Sequence, residues 1–384
     1  MHPATRDGDA VGGSVRPDWQ DIDAKLDMLV RGLTGLRHDG QFDEPNLDGT
    51  PGDYIGFESW EWPQGVGLYG LVQMNRRCPT PERRALLDGW FARRLAEGLP
   101  LLNINTTAPM MALAAHWGQT RDPRWQPVLE DWADRLMTQA PRTPEGGLQH
   151  DVSDRVNPGE LWDDTLFMAG LFLARYGQDS GRQDLLDEAI RQFLVHTRYL
   201  SDPETGLWFH GWTFRGRHNF ARARWARGNC WVTACLVDLF ESVALPGSVR
   251  AYFEGVLTAQ IEALLPLQTA SGAWRTLLDD PPSYEETSAT AGFAYGLLKA
   301  ARQGIVGPQD SARWADAGWR AVGFVLDNID AAGVVQNVSY GTRMGHDLQF
   351  YRDIPLQPTG YGQALAMLCL IEAQGALTRE RTAA

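Results

Sequence analysis

The sequence predicts an all-α protein whose six inner and six outer helices close into one double-ring barrel. Three observations carry that expectation. A polar or aromatic segment recurs just before a helix built mainly of small and apolar residues. More charged, amphipathic helices alternate with these small-residue helices. No composition shift divides the chain, and the later units average roughly sixty residues, a helix-pair period. The rival architecture is an open α-solenoid, which would want polar capping repeats instead of aromatics and carboxylates at the same end of every unit.

Residues 1–17 are polar and Gly-rich and are expected to form a disordered leader. From Trp19, a face of Ile22, Leu26, Met28, Leu29 and Leu33 predicts a helix. After a loop over 38–57, Trp60-Glu-Trp-Pro-Gln-Gly-Val-Gly leads into the first small-residue helix. Leu101-Leu-Asn-Ile-Asn-Thr-Thr-Ala-Pro-Met opens the second, and Leu161-Trp-Asp-Asp the third. Trp225-Ala-Arg-Gly-Asn-Cys-Trp opens the fourth, Tyr284-Glu-Glu-Thr-Ser-Ala-Thr the fifth and Pro358-Thr-Gly-Tyr-Gly the sixth. Charged helices are expected over 81–96, 125–139, 184–199, 249–264 and 310–328. Small residues let inner helices approach closely, and the polar entries converge on one mouth. The expected organisation is a single catalytic domain over 18–378 with a short tail, 379–384.

The third entry carries two adjacent carboxylates. Asn157 suits an N-cap, Pro158 the first helical position and Glu160 a capping box, so a buried helix is expected to start there. On such a helix Asp163 and Asp164 would lie about 100° apart and could not face the same atom. A buried carboxylate without a partner is costly, so one of the pair is expected to be catalytic and the other structural.

Composition narrows the chemistry. The apolar share is 43% and the charged share 22%, ordinary for a soluble globular chain. A net charge of −13 argues against nucleic acid or an anionic membrane as partner. Cys78, Cys230, Cys235 and Cys369 form no C-x-x-C pair, and the N-terminus lacks an apolar signal segment, so a reduced, cytoplasmic setting is expected. No stretch is long and apolar enough to span a membrane. Oligomeric state is open between monomer and dimer.

The converging loops bring candidates of one kind: Trp60, Asn105, His150, Trp162, Asp164, His210, Trp225, Arg227 and Trp231. Rings stack on sugar faces, amides and imidazoles bond hydroxyls, and carboxylates move protons, so the expected pocket takes carbohydrate. Fifteen tryptophans suit such a pocket, although many must simply pack. His150 and His210 occupy matching positions in adjacent units. Their spacing lacks a third ligand, so no metal is expected, and no cofactor motif occurs. The basic run Arg215–Arg227 either reads a substrate carboxylate or, up to Arg224, is a solvated loop. Asp279 and Asp280 suit a turn; Glu285 and Glu286 suit a helix start.

These motifs, in this order, resemble the unsaturated rhamnogalacturonyl hydrolases of glycoside hydrolase family 105, from about residue 20 to 375. The Trp-x-Asp-Thr-Leu-Phe-Met and Trp-x-Arg-Gly-Asn-x-Trp motifs are the specific part. The resemblance implies an (α/α)6 barrel and removal of a 4,5-unsaturated uronic acid from the non-reducing end of a lyase-generated, anionic oligosaccharide. Rhamnogalacturonan fragments, and hence pectin breakdown, lead over ulvan or glycosaminoglycan fragments. It implies Asp164, directly before Thr165, as the acid/base, with His150, Trp162, His210, Trp225, Arg227 and Trp231 around it. A resting, protonated Asp164 would need a raised pKa. Related enzymes place a second Asp from an earlier inner helix, where this chain offers Asn103-Ile-Asn-Thr-Thr. Two other readings stand beside this one: a sugar 2-epimerase with His150 and His210 as acid and base, and a sugar-binding α-repeat protein without activity.

Overall fold

The computed structural model describes residues 16–38, 40 and 45–383. The expected leader therefore lies, up to residue 15, outside the described residues. The helices are α1 (Trp19–Gly35), α2 (Trp62–Arg77), α3 (Pro81–Glu97), α4 (Ile104–Thr120), α5 (Gln126–Thr138), α6 (Leu171–Ser180), α7 (Gln183–Leu200), α8 (Ala226–Ser242), α9 (Gly247–Leu264), α10 (Thr287–Gln303), α11 (Pro308–Asp327), α12 (Leu348–Arg352) and α13 (Gly360–Ala383). Short antiparallel pairs join β1 (Glu160–Trp162) to β2 (Gly211–Thr213) and β3 (Trp274–Arg275) to β4 (Glu285–Glu286).

Around the inner ring α2, α4, α6, α8, α10 and α13 each pack on the next, and α13 closes on α2. The outer helices α3, α5, α7, α9 and α11 each cover the inner helix that precedes them. The sixth outer position is filled by α1, which packs on α13. This is the (α/α)6 barrel. Burial follows the rings: every residue of α2 from Trp62 to Asn75 is buried, whereas α7 buries one stripe including Leu185, Ala189, Phe193 and Leu200. No helix among the described residues is long and apolar enough to cross a membrane.

Small residues set the ring spacing. A Cβ on Gly65 of α2 would lie 2.4 Å from the Ala108 and Pro109 backbone of α4. A Cβ on Gly70 would lie 2.9 Å from Ala364 Cα of α13. Thus α2 meets both ring neighbours through glycines. Pro109 sits inside α4 and cannot donate to the Asn105 carbonyl, which frees that carbonyl near the helix start.

One expected helix start is not there. Residues 160–162 form β1, and the third inner helix begins only at Asp164. Asn157 does not cap it; its side chain donates to His150 O at 2.8 Å, and its backbone N–H donates to Asp151. Glu160 accepts from Trp162 Nε1 at 2.9 Å. Cross-strand pairing of β1 with β2 overrides the local capping signal. The first turns of this helix, Leu166–Gly170, are widened to a π-helix, a distortion frequent at functional sites.

Replacing Gly65 by Ala forces α2 away from the α4 backbone. The expected cost is about 1–3 kcal/mol of overpacking, read as a lower melting temperature by thermal denaturation. Gly255, on an outer helix with open space around it, is the control and should be neutral or stabilising as Ala.

Candidate active site

All six inner helices begin at the same end of the barrel, and a cavity of about 680 Å³ opens there. Asn105, His150, Trp162, Asp164, Trp225 and Arg227 line it, as the converging-loop argument expects. Three other expected members, Trp60, Trp231 and His210, do not. Trp60 turns outward: its Nε1 donates to Thr106 O at 2.9 Å, and its ring packs on Trp90 and Phe91. Trp62 takes its place on the cavity wall, stacked on Tyr361 at 4.5 Å. Trp231 lies one turn down α8, fully buried, against Trp62 and Phe167, and packs beneath the cavity.

His210 is walled off from the cavity but stands behind Asp164. Its Nε2 is 3.5 Å from Asp164 Oδ2, an ion-pair distance too long for a close hydrogen bond. Its Nδ1 is 2.7 Å from Tyr351 Oη. The β1–β2 register, Trp162 opposite Gly211, builds this contact, and Asp163 N–H donates to His210 O at 3.1 Å. On the other side His150 stacks on Trp162, with ring centroids 4.2 Å apart and planes 12° apart. His150 Nδ1 meets Thr165 Oγ1 at 2.7 Å. Burial holds the His150 imidazole neutral, at about 3, against the pull of Asp164.

The adjacent acids do not behave as a straight helix would make them. Asp163 precedes the helix, so the 100° separation does not apply. One oxygen of each carboxylate and a nitrogen of His210 lie within 4.8 Å of one another. Asp163 is fully buried against the first turn of α8, where a Cβ on Gly228 would lie 2.3 Å from its Oδ2. Neither oxygen finds a conventional donor. Burial, and then the charge of Asp164, hold its carboxyl well above the usual range. Burial also opposes ionisation of Asp164, but His210, His150 and the hydrogen bond with Asp163 outweigh it and hold Asp164 low, at about 2. The two carboxyls are thus pushed apart, Asp163 up and Asp164 down, and they titrate as one coupled pair. The direction for Asp164 is opposite to the raised pKa that a resting, protonated Asp164 would need. The same three groups also form a donor set that a cation could use, one that sequence spacing alone did not reveal.

The basic run resolves unevenly. Arg224 pairs with Asp202 and Asp279 at 2.5 Å each, and Arg222 lies over Phe209. Neither Arg215 nor any arginine up to Arg224 lines the cavity. Arg227 does, but its two terminal nitrogens donate to Ser339 and Tyr340, and its guanidinium lies between Trp225 and Tyr361. Arg227 thus fastens a hairpin over 338–357, bridged at Ser339 and Leu356, that forms one cavity wall. Arg352–Asp280 and Tyr284–Ile354 contacts also tie it down. Glu286 is an N-cap, accepting from Ser288 and Ala289 N–H, and is not a cavity acid. Asp280 serves the hairpin.

Sequence reasoning missed Asp154, Tyr54 and Glu61. Asp154 lines the cavity, paired with Arg343, and takes a long hydrogen bond from Tyr54 Oη. Tyr54 and Asp154 lie in two separate loops, neither of which carries a periodic signal. Glu61 is buried behind the wall, accepting from Trp62 N–H and Ser153 Oγ. Burial pushes it up to about 7, partly offset by those donors. Its N-cap position before Trp62 was legible in principle.

Comparison with known proteins bears on this site. Residues 44–377 match the family described as Glycosyl Hydrolase Family 88. The unsaturated rhamnogalacturonyl hydrolase YesR of Bacillus subtilis (strain 168) is 32% identical over 317 residues, 82% of this chain and 89% of that protein. A possible member of the GH105 family from Salmonella enterica superposes with a TM-score of 0.91 at 42% identity, covering 98% of this chain and 100% of the other. One from Klebsiella pneumoniae superposes at 0.90 with 44% identity, covering 97% and 100%.

Glu61 makes stability depend on pH. Its folded pKa lies above the unfolded value, so its contribution is complete below about pH 4.5 and is lost as pH rises through about 7. Between pH 5 and 8 the wild type should lose melting temperature relative to Glu61→Gln, measured by calorimetry in parallel. Equal slopes would contradict the assignment.

Proposed function

The chain belongs to Glycosyl Hydrolase Family 88 and is a glycosidase of the unsaturated-glycosyl type, and on that premise we propose that it removes a 4,5-unsaturated uronic acid from short oligosaccharides by hydrating the C4=C5 bond. One observation carries this reading. Among the described carboxylates lining the cavity, Asp164 alone stands between two imidazoles and beside a second buried acid whose carboxyl is held well above its usual range. Asp154 is spent on Arg343, and Asp353 lies exposed on the hairpin.

The substrate is a vinyl ether with the ring oxygen on C5. A proton from the Asp163–Asp164 pair is delivered by Asp164 to C4, and positive charge develops at C5 and the ring oxygen. Asp163 is sealed from the cavity, so it acts through Asp164 as a positioning residue. The emptied Asp164 then takes a proton from water as the water oxygen bonds to C5. The resulting hemiketal opens by breaking the C5–ring oxygen bond. The C1 hemiacetal left behind expels the next sugar as its alcohol. One acid/base group suffices because nothing attacks C1, unlike the paired carboxylates of ordinary glycosidases. Neutral His150 and the Trp162 ring supply a flat, uncharged wall beside the sugar.

Cations and apolar groups divide the rest of the cavity. Arg227 provides the positive potential that a uronate carboxylate needs, because its guanidinium is bonded to Ser339 and Tyr340 and not to a carboxylate. Phe350, Ile354, Pro355 and Val152 give an apolar surface. That surface suits the methyl group of a rhamnose in the next position, which favours rhamnogalacturonan fragments over glycosaminoglycan fragments. The epimerase reading needs imidazoles on opposite faces of the sugar, whereas His150 and His210 flank the same indole.

Asp164→Asn should lower kcat by about 10²-fold or more with the fold intact, followed as loss of the ultraviolet band of the conjugated uronate. Turnover at the wild-type rate would sink the mechanism. Asp163→Asn keeps a neutral partner but no transferable proton. It should lower kcat more than it changes KM and move the alkaline limb of the pH profile to lower pH. An unshifted limb would remove Asp163 from the proton path.

A further inference from the structure

A second cavity, of about 270 Å³, lies at the opposite end of the barrel, where α2, α8, α10 and α13 finish. Along α2, from Trp62 to Arg77, the two ends are roughly 23 Å apart. Five cations line it: Arg76, Arg77, Lys299, Arg302 and Arg379. They face Glu241 and Glu372, with Asp238 buried beneath. Five cations against three carboxylates leave an excess of two positive charges in a chain whose net charge is −13.

Most of these charges are already satisfied. Lys299 Nζ sits 2.5 Å from Asp238 and 2.7 Å from Glu241. Arg302 grips Glu372 through Nε at 2.6 Å and reaches Glu241 at 2.9 Å. Arg76 reaches Glu241 at 3.5 Å, and Arg77 and Arg379 are the remainder. Arg379 reaches Glu372 only at 3.5 Å. Arg77 Nη2 and Arg379 Nη1 lie 3.0 and 3.3 Å from the point where a Cβ on Gly375 would sit. The missing side chain of Gly375 thus lets two guanidinium groups converge. Partial burial, and the like charges of Arg302 and Arg77, push Arg379 below its ordinary value against the pull of Glu372. Gln73 is 7% exposed and lines the same cavity, and its Nε2 has no hydrogen-bond partner among the described residues.

Cations at helix C-termini are expected from the helix dipole alone. That accounts for their presence at this end. It does not account for two guanidiniums held together over a glycine, or for a buried amide N–H₂ left without an acceptor. A bound oxyanion would accept from both guanidinium groups and from the amide. We propose that this cavity is a binding site for a small tetrahedral oxyanion, phosphate or sulfate, either free or carried on a sugar.

The test uses the full-length protein and inorganic phosphate, titrated at constant ionic strength with chloride as balance. A saturable heat of binding with one site per chain is expected, with a rise in melting temperature. The Arg77→Ala/Arg379→Ala double variant alters exposed side chains and should fold normally. It should bind phosphate at least tenfold more weakly while turning over oligosaccharide at the wild-type rate. Gln73→Leu should weaken binding without touching either arginine. Glucose 6-phosphate displacing phosphate with higher affinity assigns the oxyanion to a sugar; failure to displace assigns it to the free ion. No saturable binding of either, or equal binding by the double variant, overturns the proposal.

Discussion

Closure of the inner ring is the constraint on which everything else rests. Six helices can surround one axis only if each meets two neighbours at close range, and here glycines such as Gly65 and Gly70 permit it. Closure forces a common direction on α2, α4, α6, α8, α10 and α13, because each outer helix returns the chain to the same end. Six helix starts then surround one cavity. Their free N–H groups and positive dipole ends favour negative charge there. A site for an anionic sugar beside buried carboxylates is compatible with that environment, whereas at the other end side-chain cations must supply the positive potential.

The ring was legible because its cause is local. Small residues at every contact, polar entries and charged returns each recur within a few dozen residues, and the observed outer helices fall within two or three positions of the expected ones. The site was legible only where a side chain belongs to an inner helix entry. Asp164, Trp225 and Arg227 sit on such entries. Trp60 was misplaced because two tryptophans flank Glu61, and the choice between them depends on which one Thr106 O and Trp90 attract. The start of the third inner helix was misread because its capping signal is genuine but loses to pairing with β2, about fifty residues away. Asp154 and the 338–357 hairpin have no periodicity; their positions are set by ion pairs that only the folded chain brings together.

The proton economy of the pair shows how far environment outranks identity. Asp163 and Asp164 are the same residue type, adjacent in sequence and both buried, although only Asp164 reaches the cavity. One is packed against the α8 backbone with no donor, the other faces two imidazoles. That difference alone separates a proton store from a carboxylate. Tyr351 extends the arrangement outward, because it fixes His210 from the hairpin that Arg227 anchors. Whatever loosens that hairpin therefore reaches the acid through three contacts.

The sixth outer place is taken by α1, from the other end of the chain, against α13. Gln363 of α13 ties the junction, donating to Leu29 O and Gly333 O and accepting from Val335 N–H. During synthesis α1 is made before the five helix pairs from α2 to α11, and its partner α13 after them. Those pairs must wait as an open arc, with the apolar flanks of α2 and α10 uncovered, until α13 leaves the ribosome. Ring closure is thus a late, long-range event, and a chain halted before Gly360 exposes two sticky edges that invite pairing with another copy.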